Sequence, residues 1–153
     1  MKSSKLKNIL NNLDTKGYSV IKNFFPVKKI EKLNSLLTPN KKIKNNPLFH
    51  GGAEMIYNLQ NINYEFVSII FNLSINKICR EYFKKGSHYL DKDIYQFDSM
   101  HSRILPEKSN SQDLHIDSRI CGVYPPTHLH FFLYLSDVNE QDGPTQVVPS
   151  SHK

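Results

Sequence analysis

Hydrophobic positions near the amino terminus recur at helical spacing and predict an amphipathic helix over residues 4–14. Its apolar stripe consists of Leu6, Ile9, Leu10 and Leu13. Ser3 or Ser4 is expected to cap the first turn, and Gly17 to end the helix in the left-handed conformation. Residues 18–23 contain aromatic and β-branched side chains, so the pattern predicts a first strand directly after the helix.

Two further stretches show the helical period. A second helix is predicted to begin at Pro26 and to end before Pro39. Its apolar stripe consists of Val27, Ile30, Leu33, Leu36 and Leu37. Residues 63–85 predict a third helix, which Gly86 closes, and Cys79 on its apolar face is expected to be a small core residue. These helices are predicted to pack as a brace on a sheet.

The period of the pattern changes to two in the later part of the chain, after a short strand predicted at residues 54–59. Residues 94–105 alternate with polar side chains on both faces, as expected where one face lines the solvated pocket of a small barrel. Residues 127–135 are the most strand-like segment, and residues 139–143 predict the turn that follows. One face of that segment carries His128, His130, Phe132 and Tyr134. The other, predicted to be core, carries Leu129, Phe131, Leu133 and Leu135.

Length and composition favour one globular domain. The chain has 153 residues, of which 39% are hydrophobic, which is too apolar for a disordered protein. We expect residues 1–90 to form a helical brace with short strands and residues 91–153 to carry the later strands. No run of 18 apolar residues and no apolar leader is present, and Cys79 and Cys121 are too far apart for a Cys-x-x-Cys motif. These features predict a cytoplasmic protein that does not enter the membrane.

The positive charge is concentrated at one end of the chain. The net charge is +6, and residues 1–44 hold eleven lysines against Asp14 and Glu31. A basic surface could attract a phosphorylated or CoA-linked substrate, or nucleic acid. The lysines fall on the polar faces of the first two predicted helices, where solvated lysines are usual, and no aromatic residues interleave with them as a stacking platform requires. We therefore expect no nucleic-acid partner.

The strongest chemical signal is the pair formed by His115 and Asp117. In extended backbone, residues two apart leave the same face of the chain, so an imidazole and a carboxylate can close on one ion. This ligand pair suits Fe(II), Mn(II) or Zn(II), and two histidines with one carboxylate are the arrangement of non-haem Fe(II) oxygenases. Such a pair also occurs by chance, as two polar residues at the end of a strand.

The sequence around this pair resembles the phytanoyl-CoA dioxygenase family of Fe(II)- and 2-oxoglutarate-dependent oxygenases. His115-x-Asp117 is followed by a hydrophobic strand, an Asp-Val-x-x-x-x-Gly-Pro turn at residues 137–144 and a Pro-Ser-Ser-His-Lys segment at residues 149–153. Ser150 stands where the family pattern usually has Gly. The resemblance extends back to Gly17, whose GYSVIKNFFP is similar to the first strand of the family.

The resemblance implies an α+β fold, with a double-stranded β-helix (a jelly roll, cupin-like) braced by amino-terminal helices. It implies Fe(II) bound by His115 and Asp117, 2-oxoglutarate as co-substrate, O2, and hydroxylation of an unactivated C–H of a small organic substrate. Met100 or His101 would lie in the strand that contributes to the co-substrate pocket, and Phe132 would wall it. Related halogenases lack the carboxylate at the position of Asp117, so its presence favours hydroxylation.

The resemblance also implies where the rest of the site should come from. In the family the third ligand belongs to a late strand, which argues against His130, while His152 falls in a loop outside the ligand triad. The distal His and the Arg that binds 2-oxoglutarate lie beyond the equivalent of Lys153. We therefore expect a single, incomplete domain with a jelly roll truncated after about half of the barrel, inactive without the missing part.

Two other functions remain open on the sequence. One is a truncated, non-catalytic jelly-roll module that binds a small acidic ligand or a partner chain. The other is a Zn-dependent hydrolase built on His115, Asp117 and His130. Metal preference and dependence on 2-oxoglutarate separate the three, and the sequence favours the oxygenase. The substrate and the oligomeric state are not predicted.

Overall fold

A computed structural model describes residues 1–37, 54–84, 95–105, 112–116 and 128–152. The helices are α1 (Ser3–Lys16), α2 (Val27–Leu37), α3 (Tyr64–Ile70) and α4 (Leu73–Phe83). Two strands, β1 (Glu54–Tyr57) and β2 (His101–Ile104), and two short 3₁₀ helices, Leu59–Asn61 and Glu140–Asp142, complete the elements. The α+β class is as predicted. No helix within these ranges is long and apolar enough to cross a membrane.

The first helix forms as predicted but is longer at both ends. Gly17 ends it at φ +83°, and the N–H of Gly17 donates to the carbonyl of Leu13 at 3.1 Å. The predicted serine cap is wrong, because the helix begins one residue earlier than expected and places Ser3 and Ser4 inside its first turn. Lys2 occupies the cap position without a side-chain hydrogen bond. The buried face carries Leu6, Ile9 and Leu13, all members of the predicted stripe.

The strand predicted at residues 18–23 is wrong. Residues 18–21 have no regular structure and residues 22–23 form a turn, Val20 is 73% exposed, and Asn23 has a left-handed φ of +52° that breaks an extended conformation. Local β propensity is therefore overridden by the turn that directs the chain into α2. The carbonyl of Pro26 accepts from the N–H of Lys29 at 2.9 Å at the start of that helix, which matches the predicted position of this proline.

The single helix predicted at residues 63–85 is two helices, α3 and α4. Asn72 lies between them and caps α4, because its side chain accepts from the N–H groups of Ser74 and Ile75 at 2.9 and 3.2 Å. Both helices bury an apolar face, so the hydrophobic pattern runs through the break. Cys79 is a buried core residue as predicted, and burial raises the pKa of its thiol to about 11.

Two apolar clusters form the core. The first, which we call the α2–α3 cluster, consists of Leu33, Leu37, Ile56, Leu59 and Phe66. The second, the α1–α4 cluster, consists of Leu6, Ile9, Leu13 and Ile78. Leu135 packs on the first and Leu129 on the second, so residues 128–135 lie across both clusters. Each fully buried side chain of this size stabilises the fold by about 1.5–3 kcal/mol.

Strand formation is less extensive than predicted. Strands β1 and β2 pair antiparallel, with Glu54 opposite Ile104 and Tyr57 opposite His101, so only parts of the segments predicted at 54–59 and 94–105 are in a ladder. Residues 128–135 have no ladder partner among the described residues, and two predicted core residues, Phe131 and Leu133, are exposed. An alternating pattern selects a face, but a strand needs a neighbour to accept and donate its backbone hydrogen bonds.

Residues 150–152 close the carboxyl end of α1. The last four carbonyls of a helix have no partner within it, and here each has a donor. The four bonds run from Gly17 N–H to Leu13 (3.1 Å), His152 Nε2–H to Asp14 (3.1 Å), Ser150 Oγ–H to Thr15 (2.9 Å) and Ser150 N–H to Lys16 (2.9 Å). The closure joins residues more than 130 positions apart in the chain.

Two positions in this closure have left-handed backbone. Ser150, which replaces the glycine usual in the resembling family, has φ +66° and uses its hydroxyl to bond α1. Gly17 combines φ +83° with a close approach of the His152 ring, because a Cβ on Gly17 would lie 2.6 Å from Nδ1 and 2.9 Å from Cγ of that ring. A side chain at Gly17 would therefore displace His152.

Replacing Gly17 by Ala should reduce the free energy of unfolding by about 2–3 kcal/mol, measured by urea denaturation. About 1–2 kcal/mol comes from the left-handed backbone and about 1 kcal/mol from the lost His152 hydrogen bond. Gly143→Ala is the matched control, since it has φ +70° but, among the described residues, its Cβ would meet only Leu105 Cδ1, at 3.5 Å. Equal losses for the two variants would show that the His152 contact contributes nothing.

A charged contact joins α2 to α3. The Lys29 ammonium pairs with the Glu65 carboxylate and donates to Ser68 Oγ at 2.7 Å, and this hydrogen bond from Lys29, with its charge, lowers the pKa of Glu65. A carboxyl whose pKa is lower in the folded state stabilises the fold above its unfolded pKa, and this contribution is lost as the pH falls through the folded pKa.

Glu65→Gln should therefore lower the thermal midpoint at pH 7 and reduce its further fall between pH 5 and pH 3. Glu81→Gln is the control, because Glu81 pairs with the more exposed Lys84 within one helix, and exposed pairs contribute little. If the thermal midpoint of Glu65→Gln fell as much as that of the wild type between pH 5 and pH 3, the lowered pKa of Glu65 would not contribute to stability.

Candidate metal-binding segment

His115 is held in one ring orientation by the backbone two residues before it. Its Nδ1 lies 2.8 Å from the carbonyl oxygen of Asp113. A carbonyl only accepts, so Nδ1 carries the proton, and the neutral ring then presents the lone pair of Nε2. Metal-binding histidines commonly donate their second ring nitrogen in this way. The partner of His115 is thus the backbone carbonyl of Asp113.

The segment that carries His115 is tied to β2. The guanidinium Nη1 of Arg103 donates to the side-chain oxygen of Gln112 at 2.6 Å. His115 is exposed, and its apolar neighbours Leu114 and Ile116 are 70% and 66% exposed within the described part of the chain. The imidazole is therefore presented on an accessible segment whose start is anchored to the sheet.

Asp117, the second predicted ligand, lies outside the described residues. Among those that are described, no three His, Cys, Asp or Glu side chains converge as a metal site. The donor set still fits a divalent ion of the Fe(II) class, because it combines an imidazole with a defined tautomer and a carboxylate two residues later. Metal binding by His115 and Asp117 stays a prediction.

The three predicted co-substrate residues lie in different surroundings. Met100 packs on the α2–α3 cluster, and its carbonyl accepts from the N–H of Leu59 at 3.1 Å. His101 lies on the exposed face of β2, with its ring centroid 5.8 Å from that of Tyr57. Phe132 is 66% exposed. Of the two alternatives in this strand, His101 is the one with an accessible polar side chain.

Three rings share one face of residues 128–132, as the alternating pattern predicts. The ring centroids of His128 and His130 are 6.4 Å apart, and those of His130 and Phe132 are also 6.4 Å apart and stacked at 23°. Further along, the Tyr134 hydroxyl donates to Thr145 Oγ1 at 2.8 Å. Asp117 lies outside the described residues, so a metal site formed by His115, Asp117 and His130 stays a prediction.

The contact between His152 and α1 is not predictable from the sequence motif. The resemblance places this residue in a loop outside the ligand set, and the structure shows the ring bonding the backbone of α1. The sequence contained both partners of this contact, because the family pattern includes Gly17 as well as the Pro-Ser-Ser-His-Lys motif. Their contact is visible only in the three-dimensional structure.

The comparison with protein families decides the classification. The profile of the phytanoyl-CoA dioxygenase (PhyH) family matches residues 13–153, which is most of the chain. The chain belongs to the phytanoyl-CoA dioxygenase family. Searches of curated proteins and of solved structures found no match. The matched range contains His115, Asp117 and both partners of the closure, Gly17 and His152.

Membership supports a fold class and a broad chemistry at the level of the family. The PhyH family has a cupin-like jelly-roll fold and implies oxygenase chemistry of the Fe(II) and 2-oxoglutarate type. The structure agrees at the level of an α+β protein with a small antiparallel sheet. Predicted family membership is thus confirmed, while the individual ligand assignments rest on the sequence motif.

The two carboxylates that flank His115 at equal distance in sequence provide a test of the ligand assignment. Asp117→Ala should weaken the affinity for Co(II), an air-stable substitute for Fe(II), by about 10-fold or more, since loss of even an outer partner of a metal ligand has an effect of that size. Asp113→Ala should change it by less than about twofold, because Asp113 acts through its carbonyl. Isothermal titration measures both, and the reverse order would make Asp113 the ligand.

Proposed function

We propose that this protein is an Fe(II)- and 2-oxoglutarate-dependent oxygenase that hydroxylates an unactivated C–H of a small organic substrate. Membership of the PhyH family supports the reaction class. The observation that carries the site assignment is the bond between His115 Nδ1 and the Asp113 carbonyl, because it leaves Nε2 as the ring nitrogen with the lone pair that a metal needs.

In this proposal, His115 and Asp117 are the two metal ligands from this part of the fold. The imidazole contributes a neutral donor and the carboxylate a charged one, a combination that holds Fe(II) while leaving other positions open. The bound metal supplies the activation of O2. The Asp113 carbonyl fixes the His115 ring before the metal arrives, so binding requires no change of tautomer.

We propose that His101 and Phe132 contribute to the co-substrate pocket, with Met100 as the alternative to His101. An exposed imidazole can donate a hydrogen bond to a carboxylate of 2-oxoglutarate, and a phenyl ring can exclude water from the opposite side. Met100, which packs on the α2–α3 cluster, would act by positioning this strand. A double-stranded β-helix formed by residues 91–153, braced by residues 1–90, is the fold that we propose for this arrangement.

The remaining proposals concern the partners of the protein, its location in the cell and the outcome of the reaction. We propose O2 and a small-molecule substrate as partners and the cytoplasm as the location, where a reduced thiol such as that of Cys79 is stable. The carboxylate of Asp117 supports hydroxylation over halogenation, because it fills the position that a halide would need.

Asp117→Ala in the native gene product should abolish Fe(II)-dependent consumption of 2-oxoglutarate, measured as succinate formation under air. The charged ligand is lost, and the remaining donors do not hold Fe(II) in the required geometry. Asp113→Ala should retain turnover and serves as the control for folding and for local charge. Undiminished turnover in Asp117→Ala would overturn the ligand assignment.

Two further outcomes of the same assay would favour the other functions. Metal binding without 2-oxoglutarate consumption in the wild type, across a panel of small acids and acyl-CoA esters, would indicate a binding module. Hydrolysis that depends on Zn(II) and ignores 2-oxoglutarate would indicate the hydrolase.

A further inference from the structure

Outside the segment of His115, two exposed imidazoles lie side by side. His128 and His130 are two residues apart in a non-helical segment, with ring centroids 6.4 Å apart and planes tilted by 47°. Their spacing matches that of alternate residues on one face of an extended chain, about 6.5 Å. Both residues are exposed, and their rings lie on the same side of the backbone.

The backbone that carries the two rings is anchored on its opposite side. Leu129, the residue between them, packs on the α1–α4 cluster, and Leu135 packs on the α2–α3 cluster. Phe132 stacks on the ring of His130 and limits its rotation toward the far end of the segment. The imidazoles thus project from a segment fixed to both parts of the core.

We propose that His128 and His130 form a second metal site, separate from His115 and Asp117, that binds Zn(II), Ni(II) or Cu(II) through two imidazole nitrogens. Two imidazoles on one tetrahedral ion have ring centroids roughly 5 Å apart, given metal–nitrogen bonds of about 2.0–2.1 Å. The observed 6.4 Å is wider, so the exposed side chains must rotate toward each other to bring both nitrogens to one ion.

The chemistry of the two sites differs. The His128–His130 site offers two neutral nitrogen donors and no carboxylate, which favours metals late in the Irving–Williams order over Fe(II). Water fills the other coordination positions, since among the described residues no third His, Cys, Asp or Glu joins the pair. The site is therefore open and its metal exchangeable, unlike a closed four-ligand structural site.

The test is the binding of Ni(II) and Zn(II) to the untagged protein, measured by isothermal titration and by metal analysis after equilibrium dialysis. The measurements are made in an Asp117→Ala background, so that the proposed oxygenase site does not contribute. One equivalent of metal should remain bound. His128→Asn and His130→Asn should each weaken this binding by about 10-fold or more, because either change breaks the chelate. His50→Asn is the control for loss of a histidine elsewhere.

The outcomes separate this site from the oxygenase assignment. Loss of the bound equivalent of metal in both single variants, with unchanged circular dichroism and thermal midpoint, supports the His128–His130 site. Retention in the double variant, or a dependence on only one of the two residues, overturns it. Asp117→Ala is also compared with the wild type. If this substitution leaves the metal content unchanged while the His128 and His130 variants lower it, the assignment of Asp117 as a ligand fails and the His128–His130 site is still supported.

Discussion

The structure depends on the pairing of the backbone carbonyls at the end of α1. The last four carbonyls of a helix need donors from outside it, and the residue that follows α1 supplies one of them through the N–H of Gly17. Ser150 and His152 supply the other three donors, and Gly17 has no side chain because the His152 ring occupies that space. The brace and the carboxyl-terminal segment of the described chain are thereby one structural unit.

The features predicted correctly from sequence are those decided by neighbouring residues. The buried stripe of α1, its end at Gly17 and the core position of Cys79 follow from helical spacing and from glycine's tolerance of positive φ. The division between α3 and α4 was missed because apolar residues recur at helical spacing on both sides of Asn72, whose side chain caps a new helix. Residues 18–23 were predicted as a strand because propensity does not register the left-handed turn at Asn23.

The candidate site also combines features that the sequence predicts with features that only the folded structure shows. His115 was identified because a metal half-site needs only two residues at a spacing of two. Its tautomer was not predictable, because it depends on where the Asp113 carbonyl points, and the role of His152 was not predictable because its partner is 138 positions away. Rings at 128, 130 and 132 share a face as alternation requires, although the segment lacks a strand partner among the described residues.

The closure of α1 also has a consequence for synthesis of the protein. Ribosomes make α1 early, but the groups that complete its end are translated some 135 residues later. Contacts between residues so distant in sequence form slowly, because the intervening loop must first be closed. During translation, the last carbonyls of α1 therefore lack these donors until nearly all of residues 1–152 have left the ribosome, whereas α4 can cover the apolar face of α1 much earlier.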